Sequence, residues 1–391
     1  MVLMSSSFGS SIRFQLFGQS HSRAIGAVID GLPAGEFVDM TELASFMSRR
    51  APGQTAYSTS RKEADTVQIV SGINRSGQTC GAPLALLIEN SDTRSSDYIE
   101  IAQKPRPGHA DITAWSKWLG EQDVFGGGHF SGRLTAPLMA AGGICKQILN
   151  RRGIVIGAHI YSLAGIEDTR IDTVTPDAGT VMAASQKDFP VLDDIAGNLM
   201  KQTIISAHES GDSVGGIVEC LALNMPWGVG SPMFGSLESS LAQVLFGIPA
   251  VKGVEFGSGF EASRMRGSVH NDPLYLRDNR VAFASNNAGG ILGGITNGMP
   301  VVVRVAFKPT PTIGLPQQTI DLTTQSETVL SAKGRHDPTV VVRAVPVVEA
   351  AVAAVLADAL KEAGFLQQQL QPESHDQSII DAGKIFELFK K

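Results

Sequence analysis

IRFQLFGQSHSRAIGAVIDGL, residues 12–32, places two apolar runs on either side of a short polar turn. Ile12 to Phe17 alternates weakly, as a strand with one buried face does, and Ala24 to Leu32 reads as a second apolar strand. Gly18-Gln19-Ser20-His21 forms the turn between them. Strands joined this closely pair antiparallel, because a parallel crossover needs a dozen or more residues. The pattern recurs: Thr66 to Ile73 and Leu84 to Glu89 read as strands joined by a Gly-Gln-Thr-Cys-Gly turn. Further strands are expected at Ile154–Leu163, Ser213–Leu223, Val251–Phe256 and Met299–Phe307.

Helices fall between these groups. Asp39 with Glu42 resembles a capping box and opens a helix through Met47. Leu134 to Leu149 is nearly all apolar or small, which predicts a deeply buried helix. Asp193 to His208 is amphipathic and capped by Asp193 or Asp194, and Leu237 to Phe246 is helical. Pro346 suits the first turn of a long helix reaching roughly Ala363, and Thr169 to Pro190 reads as a surface excursion. No period repeats and no linker divides the chain. The expected fold class is α+β: a single domain over residues 1–364, with antiparallel sheets packed around helices, and a C-terminal tail over 365–391.

Composition narrows the function. Hydrophobic residues make up 43% of the 391 and charged ones only 18%, a balance that supports a large core. A net charge of −6 argues against non-specific nucleic-acid binding, so local arginine clusters matter more than the sum. Cys80, Cys145 and Cys220 form no CxxC and read as buried apolar residues of a reducing compartment. MVLMSSSFGSSIRF has no basic region followed by an apolar run, and the window Val340–Leu356 contains Arg343, Pro346 and Glu349. Neither a signal peptide nor a membrane span is expected, and a cytoplasmic protein is the default.

The chemistry concentrates in KPRPGHADITAWSKWLGEQDVFGGGHFSGR, residues 104–133. Arg106, His109 and Asp111 lie on a Pro/Gly-bent segment, and Trp115, Trp118 and Leu119 follow at helical spacing. Gly126-Gly127-Gly128 lets backbone approach a ligand before His129, Phe130, Ser131 and Arg133 lead into the apolar helix, an arrangement suited to an anion. Arg49, Arg50, Arg61 and Lys62 are four cations within fourteen residues. They suit either a solvated face or a phosphate and carboxylate clamp. Lys308-Pro309-Thr310-Pro311-Thr312 is a proline-stiffened strand exit able to hold an anion. Gly257-Ser258-Gly259-Phe260-Glu261-Ala262 matches a dinucleotide fingerprint formally, but the helix it requires does not follow. No metal, nucleophile-elbow or phosphate-loop motif is present. The inventory fits a site for multiply anionic ligands with histidines able to move protons near neutral pH.

Nine ordered motifs then identify a family. GQSHSRAIGAVIDGLP (18–33), RRAPGQ with SRKEAD (49–65), DTRSSDY (92–98), RPGHAD (106–111), GGGHFSGR (126–133), VKGVEFGSGF (251–260), SNNAGGILGG (285–294), KPTPT (308–312) and KGRHDP (333–338) together resemble chorismate synthase, in register from about Gly9 to about Leu360. The resemblance implies a β-α-β sandwich, usually a homotetramer. It implies an anti-1,4-elimination of phosphate from 5-enolpyruvylshikimate 3-phosphate, giving chorismate. Reduced FMN is required without net redox, with NADPH or an outside donor as the reductant.

By the same matching, His21 protonates the departing phosphate, and His109 sits by the flavin N1. Ser20 and Asp337 relay a proton. Arg50 binds anion with Arg49 and Arg61 as helpers. His129, Phe130, Ser131, Pro249, Ala250, Gly293, Lys308, Pro309, Thr310, Pro311, Thr312 and Arg335 hold the flavin. The chain departs from the common pattern at His129 and Ala56, where relatives carry arginines, and at Gln19 and Ser22. His129 would thus turn a fixed charge near the ligands into a titratable one. Two other classes remain beside this reading: a flavin oxidoreductase with net hydride transfer, and a flavin-binding homologue without activity.

Overall fold

A computed structural model describes residues 5–51, 65–90, 101, 103–331 and 337–366. The first sheet takes β1 (Ser7–Phe8), β2 (Arg13–Phe17), β3 (Ala24–Asp30), β4 (Gln68–Ser71) and β5 (Leu84–Glu89), in the order β1-β2-β3-β5-β4. The second takes β6 (Val155–Leu163), β7 (Ile166–Glu167), β8 (Gly216–Leu223) and β9 (Val251–Phe256). Two hairpins follow, β10–β11 (Leu274–Arg277, Arg280–Phe283) and β12–β13 (Ile291–Leu292, Ile295–Thr296), and then β14 (Val301–Phe307) completes the order β7-β6-β8-β14-β9. A last hairpin pairs β15 (Gln317–Asp321) with β16 (Ser326–Leu330). Every strand pairing is antiparallel, as the short connections predict.

Eight α-helices accompany them among the described residues: α1 (Met40–Ser48), α2 (Asp111–Trp118), α3 (Thr135–Asn150), α4 (Ala178–Ser185), α5 (Asp194–Glu209), α6 (Leu237–Phe246), α7 (Gly267–His270) and α8 (Val341–Glu362). Helices α3 and α8 pack on each other along their length. Helix α3 also touches β3 and β5 of the first sheet, and α8 touches β6 and β8 of the second. One continuous apolar cluster therefore runs from Phe14 and Ile88 through Ile144 and Val348 to Cys220 and Val303. Each fully buried side chain of this size contributes about 1.5–3 kcal/mol. Gly142 permits the helix contact, since a Cβ there would collide with the Ala350 backbone.

Local chemistry sets the boundaries. Asp39 caps α1 by accepting from the Thr41 and Glu42 N–H groups. Its own N–H goes to Gln147 rather than to Glu42, so only half of the capping box forms. Asp193 is the cap of α5. Two expectations fail. The excursion 169–190 contains α4, whose Val181 packs on Leu221, Leu223 and Val302, the outer face of the second sheet. Pro346 does not lie in the first turn of the long helix; α8 begins at Val341 and encloses it. The β-branched residues at its start have weak helix propensity, but a position sandwiched between sheet and helix overrides local propensity. At the far end of α8, the Asp358 carboxylate accepts from the N–H groups of Ser10, Ser11 and Ile12, at 2.9, 2.7 and 2.7 Å. Leu366, beyond the boundary expected for the tail, is buried on the core.

Candidate active site

The chemical residues gather at the end of the sandwich where α3 and α8 begin. Arg50, just past α1, touches both helices: its Nε donates to Thr135 Oγ1 at 2.8 Å, and its carbonyl accepts from Arg343 Nε at 2.9 Å. Two helix N-termini there favour anions.

The glycine run approaches α3 through a tight turn, with φ of +63°, +82° and +53° at Gly126, Gly127 and Gly128, values that side-chain-bearing residues rarely adopt. A Cβ at Gly126 would collide with Ser20 Oγ and the His21 ring, and one at Gly127 would meet the His109 Cε1 and Nε2 at 3.1 Å. The loop therefore carries Ser20 and His21 on one flank and His109 on the other. Ser20 is fully buried; its N–H donates to the Gly128 carbonyl at 3.0 Å. Its Oγ has no hydrogen-bond partner among the described residues.

His109 belongs to a compact charged group. Asp111 opens α2, and its carboxylate accepts from Arg106 Nε and Nη2, both at 2.8 Å, and from the Arg106 backbone N–H at 3.0 Å. His109 Nδ1 lies 2.5 Å from Asp111 Oδ1. Burial raises the Asp111 pKa, but the hydrogen bonds from Arg106 and His109 outweigh it and hold the carboxyl far below the usual range. Arg106 Nη1 reaches Thr312 Oγ1 at 3.2 Å, and Lys308 Nζ donates to the Gly108 carbonyl. The segment 105–111 is thereby docked on the strand exit 308–312.

That exit is itself fixed. The Lys308 N–H donates to the Ala250 carbonyl at 2.9 Å, where Ala250 holds φ +72° after Pro249. Partial burial, then the neighbouring Lys252, lowers the Lys308 pKa. Ser213 Oγ donates to the Thr310 carbonyl at 2.8 Å, and the Val214 N–H to that of Pro338 at 2.8 Å. This places Asp337, paired with Arg343 at 2.7 Å, at the same end of the second sheet. Thr310 Oγ1 is buried without a partner among the described residues.

The two adjacent arginines diverge. Arg50 is buried and pairs with Asp65, which also pairs with Arg133. Burial raises the Asp65 pKa, but Arg50 and Arg133 outweigh it and lower the carboxyl. Arg133 continues to Asn90 Oδ1 at 2.9 Å, and Asn90 Nδ2 donates to the Ser22 carbonyl at 2.7 Å, so this cluster reaches the His21 turn. Arg49 points elsewhere. It pairs with fully buried Glu349 at 2.5 Å, together with Lys146, and lines a cavity of about 480 Å³ between α1, α3, residues 182–190 and the start of α8, where Arg343 also lines it.

His129 Nδ1 donates to the Gly18 carbonyl at 3.0 Å and Nε2 meets Ser6 Oγ at 3.1 Å, so both ring nitrogens tie the loop to the first sheet. Ser131 caps the turn before α3, and Phe130 lies 5.8 Å from Trp118. Gly293 lies in the β12–β13 turn, packed near the start of α6, with open space where a side chain would point. Arg61, Ala56 and Arg335 lie outside the described residues. Residues that sequence reading passed over include Asp65 and Arg343. The latter served there only to exclude a membrane span. Among the described residues, no helix is long and apolar enough to cross a membrane.

The chain is similar to known proteins over most of its length. Residues 12–360 match the family described as chorismate synthase. The chain is 43% identical over 368 residues to chorismate synthase of Lancefieldella parvula, covering 92% of this chain and 97% of that one. It is 47% identical over 352 residues to that of Pyrococcus abyssi, covering 90% and 96%. A crystal structure of chorismate synthase superposes with a TM-score of 0.72 at 30% identity, covering 98% of both chains. Near end-to-end identity at this level, joined to one fold and one ordered set of loops, places the chain in the chorismate synthase family.

Proposed function

We propose that the chain eliminates phosphate from 5-enolpyruvylshikimate 3-phosphate to give chorismate, with His21, Ser20, His109 and Asp337 as the groups that move or hold protons. The supporting observation is the glycine loop, with Ser20 and His21 against Gly126 and His109 against Gly127. In this reaction one ring C–H bond and one C–O bond break, a second ring double bond forms, and a proton and phosphate leave. The departing group needs a proton donor and the substrate's three anionic groups need cations. His21 answers the first need. Arg50 and Arg133, whose guanidinium groups meet on the Asp65 carboxylate at the start of α3, answer the second, because guanidinium matches phosphate and carboxylate groups bidentately. Arg49 is committed to Glu349 and supports the fold of this end rather than the substrate.

The residues present fit a flavin phosphate and ring. The unpartnered Thr310 Oγ1, the Lys308 ammonium, the notch at Gly127 and the exposed Phe130 face offer a donor, a charge, a close backbone approach and an apolar surface. Ser131, Pro249, Ala250, Lys308 to Thr312 and Arg335 would hold the group, and reduced FMN supplies electron density that weakens the C–O bond without being consumed. The assembly proposed is a homotetramer.

The test is anaerobic. The protein, chemically reduced FMN and substrate are mixed, and chorismate and phosphate are followed together. Equal release over many turnovers with flavin still reduced supports the elimination; stoichiometric loss of reductant, or no release, counts against it. Oxidised FMN with NADPH in the same assay separates a chain that reduces its own flavin from one supplied from outside.

A further inference from the structure

The Arg106–His109–Asp111 group has a consequence for which edge of His109 can act. A nitrogen and a carboxylate oxygen 2.5 Å apart repel if both present lone pairs, so a proton lies between them. Asp111 is the N-terminal residue of α2 and accepts three hydrogen bonds from Arg106, so its carboxylate is the ionised partner. The proton therefore belongs to His109 Nδ1. Arg106 Nη2 sits 3.0 Å from Nδ1 and 3.3 Å from Nε2, distances that put it over the ring face and in line with neither nitrogen, and it donates to the same Oδ1 at 2.8 Å. The guanidinium and the imidazole thus converge on one oxygen instead of competing for one ring nitrogen.

We infer that Asp111 is a positioning residue that fixes His109 as the Nδ1–H form and presents Nε2 to the notch beside Gly127. A Cβ on Gly127 would touch the Cε1–Nε2 edge of the ring, both atoms at 3.1 Å, and the absence of that Cβ leaves space beside the edge that carries Nε2 and not Nδ1. A carboxylate behind a histidine sets both its tautomer and its ring orientation. Arg106 is the second half of the device. It keeps Asp111 charged and, through Thr312, ties that carboxylate to the strand exit 308–312. The inference deepens the proposed elimination and rests on it only in assigning His109 to the reaction.

Nitrogen-15 NMR of histidine-labelled full-length protein tests it, with His109→Gln assigning the signals. The expected spectrum shows His109 with a protonated Nδ1, and Nε2 either bare or, in the imidazolium, also protonated. A neutral ring protonated at Nε2 alone would overturn the inference, and that readout needs no substrate. In Asp111→Asn the amide can donate to Nδ1, so the Nε2–H form should appear and kcat should fall about 10- to 100-fold with KM little changed. An unchanged tautomer and kcat in a folded Asp111→Asn protein would equally overturn it. If wild-type protein shows the Nδ1–H form but releases no chorismate, the elimination reading fails while the positioning role stands.

Discussion

The Ser20 N–H donates to the Gly128 carbonyl at 3.0 Å, and this bond holds the turn that carries His21 against the loop that borders His109. Two loops from sequence positions a hundred residues apart share a backbone contact at the centre of the site. Their spacing is set by this main-chain bond, with the His129 ring on the Gly18 carbonyl beside it.

Gly126→Ala tests that spacing. The new Cβ would have to displace Ser20 Oγ and the His21 ring, and the φ of +63° costs an alanine about 1–2 kcal/mol. Activity should drop by about 100-fold or more, as expected of a misplaced reacting group, while the protein stays folded. Steady-state kinetics beside a thermal melt decides, and near-normal kcat would refute the crowding argument.

Glu349→Ala should be among the most destabilising single changes in the chain. It would leave Arg49 and the buried Lys146 ammonium without their shared carboxylate. Breaking one side of a buried pair costs about 3–5 kcal/mol. A urea titration should show the midpoint moved well down with the slope unchanged.

Acid stability follows from the lowered carboxyls. The ordinary aspartate pKa is 3.8, and Asp65 and Asp111 both titrate below it in the folded chain. A depressed carboxyl contributes stability in full above its unfolded pKa and loses it as pH falls through the folded value. The stability gap between wild type and Asp65→Asn should be wide near neutrality and shrink as pH drops below about 4. A gap independent of pH would rule Asp65 out as a source of acid sensitivity.

His159 predicts the opposite dependence. It is buried on β6 with Nδ1 3.0 Å from Asp168 and Nε2 3.2 Å from Glu219, and Arg304 and Glu255 lie beyond. Burial lowers its pKa, but the two carboxylates outweigh burial and raise it. A raised histidine contributes fully below its unfolded pKa and loses that contribution as pH rises through the folded one. Asp168 also accepts the Leu192 and Asp193 N–H groups, so the segment ahead of α5 should loosen on the alkaline side. Hydrogen exchange at Leu192 and Asp193, corrected for intrinsic base catalysis, should rise there in wild type and lose that pH step in His159→Gln.

Much of this was legible in the chain. The apolar run 134–149 could only be a buried helix, and Ser20, His21 and the triple glycine announced themselves by residue type. Direction was not legible. Arg49 and Arg50 look interchangeable on paper, yet a helical end turns successive side chains by about 100°. One therefore meets Glu349 and the other Asp65. The start of α8 was hidden for another reason: Pro346 pointed to a later start, and the β-branched Val341 and Val342 are weak helix formers until a neighbouring sheet and helix claim them. His129 looked like a ligand contact by position, and only the meeting of the loop with Gly18 and Ser6 gave its ring another use.

The grip of Asp358 on Ser10, Ser11 and Ile12 joins positions 346 to 348 residues apart. Strands β1 and β2 are thus fastened by a carboxylate synthesised long after them. Until that turn of α8 emerges, the N-terminal edge of the first sheet lacks its clasp and its apolar face lacks the helix that covers it. Contacts of such sequence separation are slow to form and leave nascent chains exposed. Truncation just before Asp358 should therefore yield a chain that aggregates rather than a smaller enzyme.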